Sequence, residues 1–215
     1  GGWAVRRYDF ATGAAMTSTV YAGGYLADAI AVGADGAIVV AGESWNPGSI
    51  NDWHLVRFDQ TLGISLSSRT YNGPGNNVDH IMDIEVAPGG TILVGGYEMG
   101  PGWRITRYSP TLSAVVATAS YPTPGVWARG VALDACGGCY VAGEENSGVS
   151  SADWRIRRYN AALSTILAST LFTSPGAGND TPYDVITGIN GRVFVVGTDY
   201  AAGTWQNIRI HKYDG

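Results

Sequence analysis

The chain has 215 residues, 45% of them hydrophobic and 14% charged, with 31 glycines; no apolar run approaches the roughly 18 residues that a membrane-spanning helix needs. Eighteen acids against 13 bases give a net charge of −5, and Lys212 is the single lysine, so no basic face for nucleic acid is expected.

In chain order, GWAVRRYDFATG near the start is rewritten as DWHLVRFDQTLG, GWRITRYSPTLS and DWRIRRYNAALS, with tryptophans at 3, 53, 103 and 154. A spacing of 50, 50 and 51 residues is that of a tandem array. It divides residues 1–215 as one domain into units near 3–52, 53–102, 103–153 and 154–204, with a partial unit 205–215. The chain opens on Gly1-Gly2-Trp3 without a methionine or signal-like segment, which reads as a processed chain or an excerpt.

Within the second unit, period-two alternation predicts four strands, at 53–58, 64–71, 80–86 and 91–98. The link between the last two is the most uniform feature: AVGADGAIVVAG, EVAPGGTILVGG, ALDACGGCYVAG and ITGINGRVFVVG each carry glycine at the sixth position (Gly36, Gly90, Gly137, Gly191). Glycine there predicts tight two-residue hairpins. Four-stranded units of this length bury both faces by stacking on one another, so the fold class is all-β, a β-propeller. Lettered A to D from the axis outward, the strands run C-D, then A-B-C-D three times, then A-B-C. Seventeen strands make four blades with one left over; an arc of a larger propeller is the alternative.

The pairing of AIAVGADGAIVVAG with DWHLVRFDQTLG resembles the delta-sixty and SBBP-type bacterial propeller repeats. That resemblance implies a secreted or surface-attached bacterial protein and carries over no catalytic residue. An extracellular or cell-surface location is expected from it.

Position five of strand C is basic in every copy (Arg7, Arg57, Arg107, Arg158, Lys212), and strand B ends near a carboxylate (Glu43, Glu98, Glu144, Asp199). The expectation is a part-buried pair of Arg57 with Glu43 or a neighbouring acid, not a displayed basic ring. The tryptophans and Tyr8, Phe58, Tyr108 and Tyr159 recur in register and are assigned to packing between blades. Cys136 and Cys139, the CGGC of one hairpin, are expected to form a disulfide. With no second such pair, a four-cysteine zinc site is excluded. His54, His80 and His211 show no metal-ligand spacing, and no cofactor fingerprint is present. The loops at 72–80 and 174–184 carry oxygen ligands that suit calcium without an EF-hand pattern.

The loops joining D to A and B to C differ in every unit and lie on one rim, which is where binding residues concentrate on a rigid scaffold. The residues there that break the repeat are the candidate ligand-binding set: Tyr25, Trp45, Asp79, His80, Trp127, Arg129, Asp180, Tyr183 and Tyr200, with Trp205 beside them. Aromatic faces next to Asp and Asn suit a glycan or a protein partner. The functional expectation is a non-enzymatic extracellular binding module. The alternatives are a surface subunit that self-associates through its unpaired strand, and a hydrolase or lyase using Asp79, His80 and Asp180.

Overall fold

The computed structural model describes residues 2–100, 102–123, 125–146, 152–176, 178–201 and 205–214. They form seventeen strands: β1 Trp3–Tyr8, β2 Ala15–Tyr21, β3 Leu26–Val32, β4 Ile38–Asn46, β5 Ile50–Phe58, β6 Ser65–Tyr71, β7 Asp79–Val86, β8 Ile92–Glu98, β9 Gly102–Tyr108, β10 Val115–Pro122, β11 Ala128–Leu133, β12 Cys139–Asn146, β13 Ala152–Tyr159, β14 Ile166–Phe172, β15 Thr181–Thr187, β16 Val193–Ala201 and β17 Trp205–Tyr213. Every ladder is antiparallel between neighbours in sequence. Three complete blades, β3–β6, β7–β10 and β11–β14, stand between a two-stranded sheet, β1–β2, and a three-stranded one, β15–β17. This is the expected C-D, A-B-C-D three times, A-B-C order, with the inner strands β3, β7, β11 and β15 adjoining in turn.

The repeated tryptophan locks one blade to the next. Trp53, Trp103 and Trp154 are fully buried, and their indole N–H groups donate to the backbone oxygens of Tyr97 (3.3 Å), Glu144 (2.8 Å) and Thr198 (3.0 Å) on the B strand of the following blade. The residue before each acceptor is a repeated glycine. A Cβ on Gly96, Gly143 or Gly197 would lie 2.1, 2.3 or 2.2 Å from the carbonyl oxygen of His80, Trp127 or Thr181, and 2.9, 3.0 or 2.6 Å from the indole of the preceding blade. The glycine of LVGG, YVAG and FVVG is therefore a packing requirement between backbone and indole, and that of VVAG, Gly42, one against the backbone of Leu26 and Ala27.

That close approach accompanies a bulge. Each inner strand skips one residue in its pairing with strand B: Asp28, Met82, Arg129 and Tyr183 stand opposite no partner. A bulge breaks the alternation and re-aims the side chain. All four lie at the same level, on the rim carrying the varied loops.

The turns refine two expectations. The first three A-to-B links are not two-residue hairpins: the N–H of Gly36, Gly90 or Gly137 closes a four-residue turn on the oxygen of Gly33, Ala87 or Asp134, and that closing glycine is itself the single left-handed residue (φ 79°, 84° and 82°). Only the fourth has two consecutive positive φ angles, 66° at Asn190 and 73° at Gly191. In the C-to-D turns, Leu62, Leu112 and Leu163 adopt φ of 62°, 60° and 55°. A left-handed leucine costs about 1 to 2 kcal/mol. Burial of each side chain against the blade interfaces offsets it.

Arg57 is only partly exposed, as expected, but its partner is Asp35 in the A-to-B turn and not Glu43. The ladder explains the correction: Arg57 stands opposite Val39 while Glu43 stands opposite Trp53, four residues and about 13 Å along the strand. Arg158 likewise meets Asp134 at 3.0 Å, and the buried Arg107 donates to the Gly137 oxygen at 2.7 Å. Asp35 is 58% exposed, so Arg57→Ala is expected to lower unfolding free energy by about 0 to 1 kcal/mol in urea denaturation. A loss of about 3 kcal/mol or more would show the pair to be screened from water.

The strand-C bases that do reach B-strand acids sit one residue after the tryptophan position: Arg104 with Glu98 at 3.2 Å, Arg155 with Glu145, and Arg209 with Asp199, 2.6 Å from Arg209 Nε. The expected disulfide is not formed. Cys139 is a buried β12 residue turned into the core, whereas Cys136 stands exposed on the turn, where Asp134 accepts its backbone N–H. Burial pushes the Cys139 thiol up to about 12, so it is an inert core residue.

Candidate functional site

Where the inner strands reach the varied rim, side chains from three blades join into one strip. Glu43, on β4, is 1% exposed and accepts from Asn51 Nδ2 at 2.6 Å and from His80 Nδ1 on the next blade. The His80 ring lies 5.3 Å from the Trp127 ring at 20°, and Trp127 stacks on Tyr97 at 4.6 Å and 10°. The guanidinium of Arg129, a bulge residue, sits 4.8 Å from the Trp127 ring and donates to one Glu144 oxygen through Nε (3.1 Å) and Nη2 (2.8 Å). Asp28, another bulge residue, lies beside Glu43 and His80; its carboxyl is pushed up to about 6 by desolvation first and the Glu43 charge second.

The strip thus runs acid, imidazole, aromatic stack, guanidinium, acid, and its charges are paired within it. The Glu43 hydrogen bond, with the Glu43 charge behind it, holds the His80 imidazole above its ordinary value despite burial. The Arg129 pair engages one carboxylate oxygen and two guanidinium nitrogens, so Glu144 Oε2 and Arg129 Nη1 take no part in it.

His80, Trp127 and Arg129 from the sequence-derived set are brought together here. Glu43, Tyr97, Glu144 and Asp28 belong to the same strip and were missed, because a carboxylate after a repeated glycine reads as structural and a bulge is invisible in one strand alone. Tyr25, Trp45 and Tyr183 are exposed on the rim, apart from the stack. Tyr200 packs its ring over Gly176 and Gly178. The side chain of Trp205 lies outside the described residues.

Asp79 and Asp180 require correction. Both are 1% exposed, at the same position of their blades, and turn into their own loops. Asp79 accepts the N–H of Gly73 at 2.6 Å; Asp180 accepts the N–H and hydroxyl of Ser174 at 2.7 and 2.8 Å and the N–H of Tyr200 at 2.7 Å. They tie down the D-to-A loops and are not presented to a ligand. Their bonds go to loop backbone and the Ser174 hydroxyl, and among the described residues no three His, Cys, Asp or Glu side chains converge as metal ligands.

The ionisable groups predict an acid-shifted stability optimum. Desolvation lifts Asp79 and Asp83 to about 6, as it does Asp28, so the folded state binds their protons more tightly than the unfolded chain. Each disfavours folding increasingly as pH rises from about 4 through 6. The contribution of His80 is complete below the unfolded histidine value and is lost as pH rises through its higher folded value. His54 and His211, lowered by burial, oppose this by losing stability as pH falls below the unfolded value. Glu145, held down by Arg155, and Asp35, held down by the Ala37 N–H, lose their stabilisation in stronger acid. The melting temperature is expected to peak near pH 5 and to fall toward pH 8; a peak above pH 7 would contradict these burials.

Residues 33–61 match a family described as a domain of unknown function (DUF5122) beta-propeller. The match covers a small part of the chain and agrees with the sheets already traced. The chain is a β-propeller repeat protein. The propeller is similar to a protein of unknown function from Bacteroides caccae, at 14% identity and a TM-score of 0.57, covering 100% of this chain and 71% of that one. It is also similar to an exo-beta-1,3-galactanase from Clostridium thermocellum, at 10% identity and a TM-score of 0.53, covering 85% of this chain and 44% of that one. BamB from Moraxella catarrhalis matches at 12% identity and a TM-score of 0.51, covering 91% of this chain and 56% of that one. The propeller therefore spans about half the length of the latter two. No curated protein sequence matches it.

Proposed function

We propose that this propeller is a binding module that takes a neutral, hydroxyl-rich ligand, a glycan, on the strip around His80, Trp127 and Arg129, which the buried Glu43 and Glu144 back from within. The observation that carries the reading is the internal pairing of His80 with Glu43 and of Arg129 with Glu144 around the Trp127 stack. Pre-paired charges present little net field to an ion, while their remaining oxygen and N–H groups suit sugar hydroxyls and the ring edges suit the apolar side of a pyranose. The similarity to a galactanase supports a sugar over a protein partner, and the placement outside the cell rests on the resemblance of the repeats. An acid-base enzyme is the weaker reading, because Asp79 and Asp180, the acids first suited to it, are buried loop anchors.

A glycan array identifies the ligand and calorimetry tests the site. Trp127→Ala with Arg129→Ala is expected to weaken binding at least about 100-fold, the loss of a stacking contact and a charge-assisted hydrogen bond at about 1.4 kcal/mol per tenfold. A rim variant outside the strip, Trp45→Ala, is expected to bind normally. Full affinity in the double variant would move the site elsewhere.

A further inference from the structure

Two pairs of buried aspartates recur together. The residue before each repeated tryptophan is Gly2, Asp52, Gly102 or Asp153, and the residue three before the inner-strand bulge of the following blade is Tyr25, Asp79, Val126 or Asp180. The two positions change in concert: aspartate with aspartate at two interfaces, glycine with tyrosine or valine at the other two. Asp52, Asp79, Asp153 and Asp180 are each 1% exposed. Within a pair they are neighbours. The N–H of Asp180 donates to the oxygen of Ala152, next to Asp153, at 2.7 Å; after desolvation and the Glu98 charge, the Asp52 charge also raises Asp79.

No base serves these pairs. At their two interfaces Arg104 and Arg209 are engaged by the B-strand acids Glu98 and Asp199, and Arg155 meets Glu145 in the same way at the interface that has Gly102 and Val126. The arginine pair is therefore complete without the aspartates. Among the described residues, none of the four aspartates has an ion pair. Both oxygens of Asp153 are buried without a hydrogen-bond partner, and so is Oδ1 of Asp52, with the equally buried and unpartnered Ser49 hydroxyl in the turn before it. Two unpaired carboxylates in one dry interface are costly, because desolvation and like charge act together. Their joint presence or joint absence points to something shared between them.

We propose that each aspartate pair, Asp52 with Asp79 and Asp153 with Asp180, holds one calcium ion enclosed between its two blades. The donors are all oxygen, the set that hard cations take, and calcium completes its shell beside two carboxylates with carbonyl and water oxygens. A divalent charge answers the two carboxylate charges that no base answers. The bonds that Asp79 and Asp180 accept from Gly73 and Ser174 leave lone pairs on the same carboxylates for the ion. The ion fastens the D-to-A loops from within, apart from the ligand strip, and the pH profile derived from Asp79 is that of the ion-free chain.

Equilibrium dialysis of the intact chain against calcium chloride, after chelator treatment, tests this. Two calcium ions per chain are expected to be retained, and the melting temperature is expected to rise with calcium concentration. Asp52→Gly with Asp79→Val rebuilds the pair found as Gly102 and Val126, so that variant is expected to fold and to retain one ion. With Asp153→Gly and Asp180→Val added, the chain is expected to retain none and to melt at the same temperature with or without calcium. Asp52→Asn and Asp153→Asn, which keep the shape of the side chain, give the same count should the glycine variants not fold. Retention of no calcium by the unaltered chain would overturn the proposal, and proton uptake in its place would assign each pair a shared proton. Two ions retained by the variant without the four aspartates would overturn it equally.

Discussion

Trp103→Ala is expected to lower the unfolding free energy by about 3 to 5 kcal/mol, the range for removing a fully buried large aromatic side chain. The indole is 0% exposed, packs on Tyr121 at 5.2 Å and donates to the Glu144 oxygen at 2.8 Å. Truncation opens a cavity between two blades and removes the donor from a buried carbonyl, which by itself costs about 1 to 3 kcal/mol. Trp103→Phe should recover part of the packing while leaving that carbonyl unpaired, and so fall between the two. Urea denaturation reads both; a loss below about 1 kcal/mol for the alanine variant would remove the tryptophan from its role as the lock between blades.

Gly96→Ala is expected to be nearly as damaging despite adding one methyl group. The new Cβ would stand 2.1 Å from the His80 oxygen and 2.9 Å from the Trp53 ring, and the first of these is backbone that cannot swing aside. Overpacking of this kind costs about 1 to 3 kcal/mol and occasionally more. The displaced backbone is that of His80, so the substitution should also weaken ligand binding on the strip. Gly89→Ala, where a Cβ meets nothing within 4 Å, should leave both properties unchanged. Equal effects of the two substitutions would contradict the account of the repeated glycine.

Much of this architecture is legible in the sequence because it is periodic. The recurrence of Trp3, Trp53, Trp103 and Trp154, the alternation of strands such as WHLVRF, and Gly36, Gly90, Gly137 and Gly191 in the turns report local backbone geometry, which a single chain segment encodes. Arg57 shows where that stops. Its partner depends on how far along a neighbouring strand an acid lies, and the four acids taken as equivalent are not: Glu43 and Glu144 follow their glycine directly, Glu98 and Asp199 one residue later. The true pairing of Arg104 with Glu98, Arg155 with Glu145 and Arg209 with Asp199 appears only once register is known.

The strip was half legible for a related reason. His80, Trp127 and Arg129 stand out because they break the repeat on the varied rim, and the fold gathers them. Asp79 and Asp180 break it equally and are buried, since the same rim needs acids to hold its loops. Sequence position selects the rim; only the bulges at Asp28 and Arg129 and the crossing of Glu43 to His80 distinguish the groups gathered in the strip from those that face backbone.

The pre-paired strip is tested most directly by the salt dependence of ligand affinity. Calorimetric titration of the glycan ligand proposed above, at about 0.05 and 0.5 M salt, compares a regime where charges act over more than 10 Å with one where they are screened within a few ångströms. Because the Arg129 charge is paired with Glu144 and the His80 ring is hydrogen-bonded to Glu43, the account predicts affinities that agree within about twofold. A fall of tenfold or more at the higher salt would mean that the strip captures an ion, and would contradict it.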